Sequence, residues 1–139
     1  WALNLFENDI SADRVVERAE AETCVAFNLE QIRLHGGATL IAESDARVVG
    51  CLSLAFAEGH VFVRRDRRRH GYIQDIVVAE GWRGQNIAQA LMAEAESLTR
   101  AEGLRSLTLS VLAGNDRAER AYRRFGFAPH AVEMIKALD

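Results

Sequence analysis

The spacing of apolar residues changes period along this chain, and each change marks an element. Leu107, Leu109 and Val111 alternate with Ser106, Thr108 and Ser110, which predicts a strand over residues 104–112 with one face on a core. Upstream, Ile87, Ala88, Leu91, Met92, Ala95 and Leu98 fall on a 3.6-residue stripe, so residues 84–102 read as a helix packed on a sheet and closed by Gly103. Residues 72–78 form a run rich in branched side chains, the pattern of a strand covered on both faces. A helix between two such strands implies a crossover and parallel pairing. Residues 39–43 and 48–56 form a predicted hairpin around the polar turn 44–47.

Closer to the amino terminus, Val15, Ala19, Thr23, Ala26, Phe27 and Leu34 mark one face of a helix, or of two helices broken at Glu20-Ala21-Glu22. Ser11 offers its cap, Asp13 a favourable first-turn charge and His35-Gly36-Gly37 its stop. Residues 1–8 offer a loosely alternating opening strand, and residues 60–63 begin a strand that runs into the basic segment 64–69. Near the carboxyl end, Asn115 caps a helix that carries Ala118, Ala121, Tyr122 and Phe125 on one face and ends at Gly126; residues 127–129 and 133–138 read as two short final strands. These elements predict a single α/β domain over residues 1–139, with a mixed, mostly antiparallel sheet flanked by helices.

The junction between the central strand and the long helix concentrates the chemistry. The first N–H groups of a helix have no partner within it and the peptide dipoles add a partial positive charge there, so a strand-turn-helix forms an anion site. Arg83 adds a full charge beside that turn, Gly84 lets backbone approach a ligand, and Ala88 keeps the first turn slim. Arg83-Gly84-Gln85-Asn86-Ile87-Ala88, preceded by Val78, resembles the pyrophosphate motif of the GCN5-related N-acetyltransferases, Arg/Gln-x-x-Gly-x-Gly/Ala. Where that family usually has its middle glycine this chain has Asn86, the non-glycine residue that best tolerates a left-handed backbone. A second stretch, Asn115, Ala118, Ala121-Tyr122 and Phe125-Gly126-Phe127, resembles the family's closing motif, in which an Asn, an Ala and a Tyr lie beside coenzyme A.

The resemblance implies acetyl transfer from acetyl-coenzyme A to a primary amine of a small molecule or peptide, by direct attack in a ternary complex. It implies that Arg83 and the amides of Gly84, Gln85, Asn86, Ile87, Ala88 and Gln89 hold the pyrophosphate. The pantetheine arm would then lie along Ile76, Val77 and Val78 beside the Val111 region, where the central strand and the next splay apart. Tyr122 is the candidate acid, since a phenol is protonated at neutral pH and can donate to a departing thiolate; its bland alternative is a core tyrosine. Asp75 is the candidate base, directly or through a water, because a carboxylate in a branched-residue strand is unusual; an exposed-face aspartate is the alternative. His70 is a second candidate base, although a charged turn also accounts for it.

Composition narrows the field without naming a substrate. The 139 residues are 49% hydrophobic and 27% charged, with formal charge −3, which argues against a general nucleic-acid or membrane-surface role. Cys24 and Cys51 lack metal or redox spacing and read as buried small apolar residues, and His35, His60 and His130 have no partners at metal spacing, so no metal is expected. The absence of a charged-then-apolar leader reads as a cytoplasmic protein. Homodimerisation is left open. Two other function classes compete: a non-catalytic acyl-coenzyme A sensor on the same fold, and a nucleic-acid module built on the basic run from Arg64 to His70. That run is either a solvated tip or the border of an acceptor groove favouring anionic amines.

Overall fold

A computed structural model describes residues 7, 9–11, 14 and 17–138. The described residues contain a four-stranded sheet of order β1-β2-β3-β4. β1 (Gly37–Ser44) and β2 (Arg47–Glu58) pair antiparallel, β3 (Arg69–Val78) pairs antiparallel with β2, and β4 (Leu107–Leu109) runs parallel to β3. The helices α1 (Arg18–His35), α2 (Ile87–Ala101) and α3 (Asp116–Phe125) flank it. The hairpin closes through Asp45 and Ala46, both left-handed at φ 50° and 59°, a twist that matches the strands they join.

The stripe on α2 does what its period implies. Leu91, Met92 and Ala95 pack on Leu52, Leu54 and Ile73, all buried. Such a cluster removes enough apolar surface from water, at about 25 cal/mol per Å², to dominate the fold's stability. α2 also approaches β3 closely because Gly71 has no side chain: a Cβ there would lie 2.4 Å from Thr99 Oγ1 and 2.9 Å from Leu107 Cδ1. Leu52 and Leu54 face α2, so Ser53 between them faces the other side of the sheet, the side of α1.

Several expectations are corrected. α1 is continuous through Glu20-Ala21-Glu22 and begins after Glu17, while the Ser11 amide donates to the Glu7 carbonyl in a turn. The face expected inward points to solvent, with Phe27 and Leu34 61% and 55% exposed. Ala21, Asn28, Gln31 and Ile32 are half-buried instead, and two polar residues among them hide that face from a hydrophobic period. Cys24 is exposed on α1 and Cys51 is half-buried on β2, and neither forms a disulfide. Apart from Glu7, the expected opening strand over 1–8 lies outside the described residues, as do Asp13 and Val15.

Residues 60–63 form a turn rather than a strand. The Arg68 guanidinium donates to the Val61 and Val63 carbonyls at 2.9 and 3.1 Å, folding the loop back onto a one-turn helix at Arg65–Arg68. β4 is confined to residues 107–109 of the expected 104–112, because beyond Leu109 it diverges from β3. Residues 127–129 and 133–138 form no strand, and Val132, Met134, Ile135 and Leu138 stand at least 83% exposed. No described helix is long and apolar enough to cross a membrane.

Candidate active site

β3 outruns β4. Their parallel pairing ends at Ile73 opposite Leu109, and β3 continues to Val78, leaving about 16 Å of strand whose backbone on that side has no sheet partner. A cavity of about 320 Å³ opens there, between the β3 segment Ile73–Val78, the Leu109–Val111 segment, the entrance to α2 and the inner face of α3. Exposed strand backbone beside a cavity is suited to an extended, amide-rich ligand, because every unsatisfied N–H and C=O seeks a partner.

The entrance to α2 forms one end of this cavity. Asn86 takes the left-handed conformation, φ 61° and ψ 13°, that its place in the turn requires. It makes no side-chain cap, and the first amide bonded back into the helix is Ala90 N–H to the Asn86 carbonyl at 3.0 Å. The amides of Asn86, Ile87, Ala88 and Gln89 therefore have no protein partner among the described residues. Arg83 Nε donates to the Val78 carbonyl at 3.2 Å, which holds the guanidinium at the strand end, and Gln89 Nε2 reaches the Ala121 carbonyl at 3.4 Å, tying α2 to α3. Arg83, Gly84, Asn86, Ile87, Ala88 and Gln89 all line the cavity, whereas Gln85 does not and bonds the Gly81 carbonyl at 3.4 Å. Four amides, a guanidinium and a helix dipole suit a pyrophosphate.

The cavity wall also carries titratable groups. Ser53 stands opposite Asp75 but Leu54 stands opposite Ile73, so Gln74 is the extra residue of a β-bulge. Asn28 Nδ2, reaching across from α1, donates to Asp75 Oδ2. Burial pushes the Asp75 carboxyl above its usual range, and the hydrogen bonds from Asn28 and Ser53 only partly oppose it. Tyr122 is half-buried with its ring edge-on to Phe127 at 6.1 Å; burial, then the Glu7 carboxylate, raises its phenol. Its hydroxyl has no hydrogen-bond partner among the described residues. Asn115 is buried and caps α3, its Oδ1 accepting from Ala118 N–H at 3.2 Å, while it and Ala118 line the cavity. Cys51 is no activated nucleophile, since burial and then Asp75 push its thiol up.

The acetyltransferase (GNAT) family model matches residues 4–127. The chain belongs to that family. It is 31% identical to the acetyltransferase Atu2258 of Agrobacterium fabrum over 128 residues, 90% of this chain and 84% of that one. It is 32% identical to the N-acetyltransferase YycN of Bacillus subtilis over 71 residues, about half of this chain and 46% of that relative. The chain is thus matched over less than half the length of YycN. Among solved structures, an aminoglycoside N-acetyltransferase, AAC(6')-Iy in complex with CoA, superposes with a TM-score of 0.70 at 16% identity, covering 89% of this chain and 96% of that one. That structure and a putative acetyl transferase from Pyrococcus furiosus, which superposes with a TM-score of 0.70 at 22% identity over 99% of this chain and 92% of that one, share the mixed sheet with flanking helices.

Other placements differ from the sequence reading. His70 does not line the cavity, and its Nδ1 lies 2.9 Å from the Arg68 carbonyl. The basic run does not line it either: Arg64 pairs with Asp66, Arg68 holds the 61–63 loop, and Arg69 pairs with Glu102 at 3.0 Å. Asn28 and Gln74 escaped the sequence reading. A lone Asn on a weakly amphipathic helix gives no signal, and Gln74 is marked only by its place beside Asp75.

Proposed function

We propose that this GNAT chain transfers an acetyl group from acetyl-coenzyme A to a primary amine of a small molecule or peptide, by direct attack with both substrates held together. The observation that carries this reading is the cleft where β3 outruns β4, with four unpartnered amides and Arg83 at one end and Asp75 and Tyr122 on the same cavity. The site residues fit the cosubstrate: the amides of Asn86 to Gln89 and Arg83 meet its diphosphate, the open edge of Ile76, Val77 and Val78 meets its amide-rich arm, and Asn115 and Ala118 flank it. When bound, acetyl-coenzyme A supplies a thioester carbonyl activated toward amines.

The remaining work is proton handling by this chain. An ammonium of pKa about 10 must lose a proton before its nitrogen can attack. Asp75 takes it, directly or through a water; burial raises its pKa, which makes it a stronger base than an exposed carboxylate. Tyr122 Oη, with no hydrogen-bond partner among the described residues, keeps its proton at neutral pH and offers it to the departing sulfur. The same cleft would serve a non-catalytic acyl-coenzyme A sensor, but a sensor has no use for a phenol without a partner among the described residues on the same cavity as a carboxylate held from α1.

The test is thiol release from acetyl-coenzyme A with a panel of neamine, spermidine and lysine amide. The first is included because AAC(6')-Iy acts on aminoglycosides by name. We expect turnover of at least one, and a Tyr122→Phe variant about 100-fold slower in kcat with its acetyl-coenzyme A KM little changed. No release by the native protein returns the chain to the sensor reading; unchanged kcat in the variant returns Tyr122 to the core.

A further inference from the structure

The bulge inserts Gln74 into β3 one position before Asp75. Gln74 lines the cavity, and its Oε1 is buried without a hydrogen-bond partner among the described residues. A buried acceptor left without a partner destabilises the fold, because it loses its bond to water and gains none. An apolar side chain of the same length would avoid that cost, so the glutamine works against the folded apoprotein.

The nearby donors are already engaged. Asn28 Nδ2 is spent on Asp75, and Ser53, which faces Asp75 across the strand pair, hydrogen-bonds that carboxylate through both backbone and side chain. With no donor for Gln74 among the described residues, a ligand in the cavity can supply one, and it has to be an N–H or O–H. Both ligands of the proposed reaction carry N–H groups. The arm of coenzyme A can place its amides on the open backbone edge of β3 toward Val78, whereas Gln74 lies at the opposite end of that edge, beside Asp75. A bulge puts two consecutive side chains where one is expected, re-aiming them toward the same region.

We propose that Gln74 Oε1 accepts a hydrogen bond from an N–H of the acceptor amine, making Gln74 a residue that positions the acceptor. This rests on the acetyl-transfer reading above. Asp75 accepts from one N–H of the incoming amine and Gln74 from another, and two fixed acceptors on a nitrogen orient its remaining position. The pair suits a primary amine better than an N-methylated one, which carries one N–H fewer.

The experiment compares Gln74→Met, which removes the acceptor at similar volume, with Gln74→Glu, which keeps accepting oxygens. Steady-state kinetics with neamine, spermidine and lysine amide are combined with thermal melts of each protein, at a pH well above the carboxylate range. In Gln74→Met we expect the KM of the amine to rise about 10-fold while that of acetyl-coenzyme A stays within about 2-fold, as fits one lost hydrogen bond to the acceptor. Its melting temperature should match or exceed that of the native protein, and Gln74→Glu should hold the amine KM near native. An unchanged amine KM in Gln74→Met, a KM change falling on acetyl-coenzyme A instead, or a melting temperature lowered by several degrees overturns the assignment. If the native protein releases no thiol with any of the amines while both variants melt like it, the acetyl-transfer reading fails, and the assignment of Gln74 with it.

Discussion

Replacing Arg83 with alanine separates the charged part of the phosphate site from its backbone part. The Arg83 Nε bond to the Val78 carbonyl fixes the side chain at the cavity mouth, while the four amides of α2 and its dipole stay in the variant. A hydrogen bond to a charged group contributes about 1.5–3 kcal/mol, and because Arg83 is exposed the lower end applies, which is about 10-fold in Kd. Acetyl-coenzyme A at 100 times its Kd stabilises the native fold by about 2.7 kcal/mol, and at the same concentration the variant gains about 1.4 kcal/mol. A chain of 139 residues unfolds with an entropy of about 0.3 kcal/mol per degree, so the expected shifts in melting temperature are about 9 °C and 5 °C. Thermal melts with and without the cosubstrate, at low and at physiological salt, measure both, and the difference should shrink as salt screens the guanidinium. Equal shifts in the two proteins would remove Arg83 from the site, and no shift in the native protein would refute the phosphate cradle itself.

Two further outcomes follow from the geometry. Asp75 must be ionised to act as a base, so kcat/KM should fall on the acid side along a limb lying above the ordinary carboxylate range; Asn28→Ala removes a bond that lowers the Asp75 pKa, so the limb should move to higher pH, and a limb that stays put detaches Asn28 from the chemistry. Gly71→Ala places a Cβ 2.4 Å from Thr99 Oγ1 in a packed region, which should cost about 1–3 kcal/mol in urea unfolding; a midpoint within error of native would show that α2 is free to shift.

The elements legible from sequence were those whose hydrophobic period reflects burial. The stripe of α2 and the branched residues of β3 both lie where their patterns imply, because Leu91, Met92, Ala95 and Ile73 meet in one core. Asn86 was legible for a backbone reason, since few other residues tolerate its conformation. α1 misled because its inner face carries the polar residues Asn28 and Gln31, and Asn28 is held inward by its hydrogen bond to Asp75 rather than by the hydrophobic effect. The basic run misled for a related reason. Charge density announces electrostatic work but not its direction, and here the guanidinium of Arg68 satisfies backbone carbonyls of its own loop while Arg69 reaches Glu102 at the end of α2. The bulge at Gln74 left no trace in composition, because one extra residue in a strand changes the register and not the pattern of types.

One helix links the two ends of the cleft. α2 spans 15 residues, about 22 Å, from the unpartnered amides at Asn86 to the tight contact of Thr99 with Gly71, where β3 and β4 are still paired. At its open end Ile87 packs so closely on β2 that a Cβ at Gly50 would lie 3.1 Å from Ile87 Cγ2. Those amides are therefore held by packing at both ends of the helix and not by a side-chain cap, which the turn lacks. A site positioned in this way needs little reordering when a phosphate arrives, so more of the contact energy appears as affinity. It follows that a perturbation at the closed end, such as Gly71→Ala, should weaken acetyl-coenzyme A binding at the open end even though no atom of Gly71 lines the cavity.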